Sequence, residues 1–304
     1  MQYLRTPDER FEDLPGWNFE PRYLHVDDGE GGRLRVHFVD EGRREAPVVL
    51  LLHGEPSWSY LYRHMIGPLV DAGLRVVAPD LVGFGRSDKP ARREDYTYQR
   101  HVNWLGSVVA QLELVDVTMF CQDWGGLLGL RLVAETPQRF SGVVAANTFL
   151  PTGDEPTGPA LEQWREYSQR VDVFPAGEIV QRGSQRPLGE AERAAYDAPF
   201  PEETFKAGAR AFPMLVPARP DDPASEANRT AWRRLSDYRR PFLTLFGEED
   251  PITRGADLVM QDRIPGAEGQ PHRRIPAAGH FLQEDVPGEL VDALREFVDA
   301  PSDG

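Results

Sequence analysis

Phe120-Cys121-Gln122-Asp123-Trp124-Gly125-Gly126 lies where an apolar stretch, Val115 to Phe120, gives way to a helical one, Leu127 to Ala134. A strand running directly into a helix with the pattern small–x–acid–x–small makes a strained turn that presents the central side chain and brings neighbouring backbone close. Cys121 and Gly125 fill the small positions, and Asp123 stands at the apex. The N–H groups that open the following helix point at that apex and favour negative charge developing there. An Asp before a helix is also a common N-cap. Against capping alone stands Gly125-Gly126, a poor opening for a helix built only for stability.

Outward from this turn, strands and helices alternate. Val48-Val49-Leu50-Leu51-Leu52 is wholly apolar, as a strand buried on both faces requires. Leu74-Arg75-Val76-Val77-Ala78, Gly142-Val143-Val144-Ala145-Ala146 and Pro241-Phe242-Leu243-Thr244-Leu245-Phe246 read as further strands, with a shorter one near 272–276. Val102, Leu105, Val109 and Leu112 recur at helical spacing over 97–113, as do Leu290, Leu294, Phe297 and Val298 over 287–299. This rhythm predicts a mainly parallel, doubly wound α/β sheet. It stops between about 152 and 232, where amphipathic stretches at 159–170 and 190–197 are broken by Pro and Gly. The expected organisation is an α/β core of residues 1–151 and 233–304, interrupted by a helical cap at 152–232.

The 304 residues are 40% hydrophobic, enough to fill a sizeable core without disulfide or metal support. Cys121 is the only cysteine, which excludes an intrachain disulfide and any multi-cysteine zinc site. The first ten residues lack a signal-peptide core, and no apolar run reaches membrane-spanning length, so a soluble, cytoplasmic protein is expected. A formal charge of −15, with Lys and Arg dispersed among acids, argues against nucleic-acid and membrane partners.

An Asp at the apex sets the chemistry. Serine must lose a proton before it attacks, whereas an ordinary aspartate is already ionised at neutral pH. Attack on an acyl carbon would give an anhydride; attack on a saturated carbon bearing a leaving group gives an ester that water can hydrolyse. The expected substrate is therefore an alkyl halide or an epoxide. Gly247-Glu248-Glu249-Asp250-Pro251 follows the late strand, and Asp250 is the expected orienting acid, with Glu248 and Glu249 as rivals. Ile275-Pro276-Ala277-Ala278-Gly279-His280-Phe281 presents His280 before the last helix, giving the chain order nucleophile–acid–base. His25, His37, His64, His101 and His272 read as structural or exposed, and His53 as structural beside the loop that follows the first core strand.

These residues resemble the haloalkane dehalogenase family of the α/β-hydrolase superfamily, in the subfamily whose acid follows the later core strand. The likeness spans nearly the whole chain. It is strongest in His53-Gly54-Glu55-Pro56-Ser57-Trp58, in Asp80-Leu81-Val82-Gly83-Phe84-Gly85-Arg86-Ser87-Asp88 and around Asp123. In the other large subfamily an acid stands where this chain has Asn147. The resemblance implies an α/β-hydrolase fold with an inserted helical cap. It also implies hydrolysis of a carbon–halogen bond to an alcohol, a halide and a proton, with no cofactor or metal. The implied partners are a small haloalkane, water and the halide product; a monomer is expected.

The family stabilises the departing halide with N–H donors in an apolar pocket, and an indole N–H donates without accepting. Trp124 fits one donor. Many relatives take the other from an Asn in the His-Gly-x-Pro motif, but here that residue is Glu55. Read as an ionised acceptor, Glu55 cannot serve, and a cap tryptophan is expected instead: Trp164, with Trp232 as competitor. The backbone N–H groups of Glu55 and Trp124 are expected to form the oxyanion hole, and the Glu55 carboxylate to position water. Leu127, Phe212 and Pro213 are expected to line the substrate pocket. An epoxide hydrolase on the same scaffold is the alternative, with Tyr167 and Tyr196 as candidate cap acids. A binding protein that has lost catalysis is disfavoured, because all three triad members are present.

Overall fold

The computed structural model describes residues 1–300. Eight strands form one sheet: β1 (Arg22–Asp27), β2 (Arg33–Glu41), β3 (Val48–Leu52), β4 (Arg75–Pro79), β5 (Val117–Gln122), β6 (Phe140–Ala146), β7 (Phe242–Gly247) and β8 (Arg273–Ile275). Their spatial order is β8-β7-β6-β5-β3-β4-β2-β1, antiparallel at the β4-β2-β1 end and parallel elsewhere. Each β-strand offers alternate residues to opposite faces, and both faces of the parallel part are covered. Leu50 and Leu52 pack with Met119 and Cys121 on one side, whereas Val49 and Leu51 pack with Phe120 and Val144 on the other. That double burial is why the central strands read as continuous apolar runs.

The helices around the first half of the sheet are α1 (Arg63–Asp71), α2 (Tyr98–Gln111) and α3 (Trp124–Glu135). Between β6 and β7 the described residues form no strand. They form α4 (Pro159–Arg170), α5 (Ala176–Gly183), α6 (Glu190–Asp197), α7 (Ala207–Leu215) and α8 (Ser225–Leu235). After β7 come α9 (Ala256–Arg263), the single turn α10 (Leu282–Asp285) and α11 (Pro287–Asp299).

Two boundaries differ from the sequence reading for a physical cause. β5 begins at Val117 rather than 115, because Val115 is 60% exposed and outside the sheet, and it continues through Gln122 to the turn. The following helix starts at Trp124, three residues before its apolar periodicity becomes readable. None of the helices is long and apolar enough to cross a membrane among the described residues.

Candidate active site

Asp123 joins β5 to α3 with φ 49° and ψ −126°. A non-glycine residue held there costs on the order of 1–3 kcal/mol, so its surroundings must overdetermine it. The Asp123 N–H donates to the Asn147 carbonyl (3.0 Å), and the Asp123 carbonyl accepts from Thr148 Oγ1 (2.7 Å) and the Gly126 N–H (2.8 Å). Gly125 is required by close approach: an added Cβ would overlap the Leu52 carbonyl at the end of β3. The carboxylate thus emerges beyond the C-terminal ends of the parallel strands, where open α/β sheets bind ligands.

The Glu55 N–H donates to Asp123 Oδ2 at 2.8 Å. His280 Nε2 lies 3.5 Å from Asp123 Oδ1, and His280 Nδ1 lies 3.1 Å from Asp250 Oδ2. Asp250 is buried and also accepts the Ile252 N–H (2.9 Å) and the Thr253 hydroxyl. Glu248 and Glu249 are exposed, so of the three neighbouring acids Asp250 is the one that faces the imidazole. Burial alone would lower the His280 pKa, but Asp250 and Asp123 outweigh it and carry it up to about 10. For Asp250, burial works upward, and His280 and Thr253 overcome it to hold the group below its usual value. Asp250 and Asp123 thus flank the His280 imidazole on its two nitrogens and favour its protonated form.

Two polar residues at strand ends complete the support, and the sequence reading gave neither of them a role. Gln122 Nε2, at the end of β5, lies 3.1 Å from the His280 carbonyl and 3.2 Å from His280 Nε2. Asn147, just after β6, donates through Nδ2 to the carbonyls of Gly279 (2.7 Å) and His280 (3.0 Å), while its Oδ1 accepts the Gly247 N–H (2.8 Å). Asn147 therefore bolts the ends of β6 and β7 to the histidine loop. The available signal was a buried-type polar residue directly after an all-apolar strand.

Asp123 opens into a cavity of about 470 Å3 walled by Trp124, Trp164, Tyr167, Pro213 and Phe281, among others. The indole N–H groups of Trp58, Trp104 and Trp232 are committed to the carbonyls of Ala195, Asp27 and Leu150. Trp124 and Trp164 line the cavity and have no protein acceptor among the described residues. Glu55 also faces the cavity, only 4% exposed, and its Oε1 has no partner. Burial, reinforced by the Asp123 charge, pushes its pKa well above the ordinary carboxylate value. That shift favours protonation, which the reading of Glu55 as a plain ionised acceptor did not include. A protonated carboxyl has a donor to offer.

A profile of the alpha/beta hydrolase fold matches residues 47–287. The haloalkane dehalogenase of Psychrobacter cryohalolentis is 58% identical over 298 residues, covering 98% of each chain. That of Mycolicibacterium paratuberculosis is 54% identical over 300 residues, covering 99% of each. The chain belongs to the haloalkane dehalogenase family. Among solved structures, the tetrameric haloalkane dehalogenase of Paraglaciecola agarilytica matches with a TM-score of 0.89 at 36% identity, over 96% of this chain and 97% of that one.

In this dehalogenase Pro213 reaches the cavity, but Leu127 and Phe212 do not line it. Phe212 is fully buried behind the Trp124 ring (centroids 4.5 Å apart) and against Phe84 and His101, so it supports the cavity wall from outside. Leu127 packs into the core, with its carbonyl taken by the Tyr98 hydroxyl. His53 is buried between the Gly54 carbonyl (2.9 Å) and the Leu81 N–H (2.9 Å), a structural position. His64, Glu192 and Glu284 come close enough together to suit a metal ion, but the two carboxylates are already paired with Arg63 and Arg186.

Proposed function

We propose that this dehalogenase cleaves the carbon–halogen bond of a small haloalkane in two covalent steps at Asp123, under a helical cap formed by residues 152–232. In the first step a carboxylate oxygen of Asp123 attacks the halogen-bearing carbon. A C–O ester bond forms as the C–halogen bond breaks and its electron pair leaves with the halide. Trp124 and Trp164 donate their indole N–H groups to the developing halide, a charge that a mostly apolar cavity would otherwise leave unsolvated. In the second step water attacks the ester carbonyl carbon and gives a proton to His280 Nε2. The oxyanion faces the backbone N–H groups of Glu55 and Trp124. Collapse expels the alkoxide, which takes the proton from His280 and leaves as a primary alcohol. Asp123 is restored with one oxygen from water, and its remaining proton returns to His280, replacing the one that the imidazolium gave to solvent after alkylation.

The charge balance explains how one histidine serves both states. With Asp123 and Asp250 both anionic, His280 holds its proton up to about pH 10. Alkylation turns Asp123 into a neutral ester and removes one of the two anions. The pKa falls, the imidazole releases its proton, and a base appears at the point in the cycle that needs one. Asp250 stabilises the imidazolium that forms again during hydrolysis.

The observation that carries this reading is the Asp123 carboxylate, oriented by the Glu55 N–H and flanked by His280, opening onto a cavity with two uncommitted indole N–H donors. The test is halide release from a panel of 1-bromo- and 1-chloroalkanes, with an epoxide as control. Bromide release faster than chloride, with slow epoxide opening, is expected; rapid epoxide opening without halide release would overturn the reading. The epoxide alternative needs cap tyrosines at the reacting oxygen; Tyr196 is instead buried with its hydroxyl on Glu284, which leaves Tyr167 on the cavity wall as the remaining candidate and makes the epoxide control decisive. We propose a monomeric, cytoplasmic enzyme acting without cofactor.

A further inference from the structure

The histidine loop is held by more than the core. Asp285, the last residue of α10, accepts the Gly279 N–H on Oδ2 (2.8 Å) and the N–H groups of Gln185 and Arg186 on Oδ1 (2.8 Å each). Gly279 immediately precedes His280, whereas Gln185 and Arg186 belong to the segment that follows α5. On the other side of the base, the Phe281 N–H donates to the Gly183 carbonyl (3.1 Å). The two segments cross so closely that a Cβ on Gly279 would overlap that same carbonyl. A second tie runs alongside, since the buried Glu284 accepts from Arg186 Nη2 (2.6 Å) and from Arg63 Nη2 (2.9 Å) on α1. Gly183 and Gln185 also line the substrate cavity. One short segment therefore touches both the space that substrate fills and the backbone that carries the base.

We propose that Asp285 is a positioning residue for the hydrolytic half of the reaction, its carboxylate clipping the His280 loop to segment 183–186 so that the imidazole is aimed at the ester only while that segment is seated. The proposal rests on the reading of Asp123 as nucleophile and His280 as base. A carboxylate can accept three N–H bonds at once, an Asn retains a single acceptor oxygen, and an Ala retains none. Asp285 therefore cannot be replaced without freeing one side of the clip or both. Asp123 makes no hydrogen bond to Asp285 or to segment 183–186: its turn is held by Asn147 and Thr148 and its carboxylate by the Glu55 N–H, and it meets the clipped loop through His280 and Asn147. Loss of the clip should slow ester hydrolysis and spare ester formation.

The test follows the alkyl ester by rapid quench and mass spectrometry in full-length parent, Asp285→Asn, Asp285→Ala and His280→Ala proteins given a 1-bromoalkane. The maximal adduct in a single turnover counts the folded, competent sites, so partial misfolding does not distort the rates. Misplacing a catalytic group by about 1 Å costs on the order of 100-fold. We expect ester formation within about threefold of parent in both Asp285 variants, with ester decay slowed about tenfold in Asp285→Asn and up to about 100-fold in Asp285→Ala. Decay per competent site equal to parent would show that Asp285 serves stability alone and would overturn the proposal, as would formation and decay slowed by the same factor. A His280→Ala protein that forms no ester at all would instead overturn the underlying reading, and this inference with it.

Discussion

Replacing Trp164 with Phe removes an N–H donor from the cavity wall while leaving an aromatic ring in place. Trp164 is half-buried, with Tyr167 stacked against it and Phe174 edge-on, each at 5.9 Å between centroids. A Phe ring can keep both neighbours, so the change tests the donor rather than the packing. A preorganised donor aimed at charge that develops in the transition state is worth about 2.7–4 kcal/mol in a dry site. A hydrogen bond to a charged group in a wetter setting is worth about 1.5–3 kcal/mol. Burial decides which range applies. Trp124 is 3% exposed and wedged between Tyr98 and Phe212, which places it in the upper range. Trp164 belongs in the lower one. At about 1.4 kcal/mol per decade, Trp124→Phe should slow halide formation by two to three decades, and Trp164→Phe by one to two. Rapid-quench measurement of bromide release reads that step directly, and bromide quenching of tryptophan fluorescence should weaken in each variant. A folded Trp164→Phe protein that releases bromide at the parental rate would refute the assignment. Glu55, whose buried carboxyl favours its proton, would then be the first candidate for the second donor.

Other consequences are open to equally direct tests. Ester hydrolysis needs neutral His280, whose pKa falls from about 10 when Asp123 is esterified; hydrolysis should therefore slow as pH drops below neutrality while ester formation stays nearly flat, and a parallel loss of both steps in a pH-jump quench experiment would contradict this. Because Glu55 favours the neutral acid, Glu55→Gln should keep kcat within about fivefold, whereas Glu55→Leu, which leaves no hydrogen-bonding group, should lose about 1–3 kcal/mol of transition-state stabilisation; equal losses in the two variants would mean that the ionised carboxylate is required. Asn147→Ala takes the side-chain partner from the Gly279 carbonyl and the Gly247 N–H and leaves the His280 carbonyl to Gln122 alone, so thermal denaturation should show a loss of about 2–4 kcal/mol, and an unchanged melting temperature would remove Asn147 from the account.

What the sequence discloses is what is encoded locally. The turn at Asp123 is a strand, an acid and a helix in seven consecutive residues, and β3 and α11 lie where apolar periodicity puts them. The N-terminal strands escaped notice because β1, Arg22–Asp27, keeps only Val26 fully buried, so its alternation is diluted by charge. The helices α5 and α7 are short, α7 with Pro213 inside it, and α8 is mostly polar, so their apolar faces are too sparse to stand out in the sequence. Asp250 and His280 were readable from chain order, but other roles that depend on long-range meetings were not. Trp232 leaves the competition for a halide donor only because the fold brings its N–H to Leu150. Phe212 is apolar and in the right region, yet packing turns it behind Trp124 rather than toward the cavity. The upward pKa shift of Glu55 follows from burial, reinforced by Asp123, and the clip at Asp285 joins residues about a hundred positions apart. Chemistry was legible where residue type restricts it, and supporting geometry was not.

The central claim is that Asp123 attacks without help from a base and that His280 acts only afterwards. A single turnover of a 1-bromoalkane on the His280→Ala protein, followed by mass spectrometry of the peptide that contains Asp123, tests it most directly. The account predicts about one bromide released per active site, an alkyl group retained on Asp123, and no further turnover. A folded His280→Ala protein that releases no bromide and carries no adduct would place the histidine in the first step and contradict the mechanism.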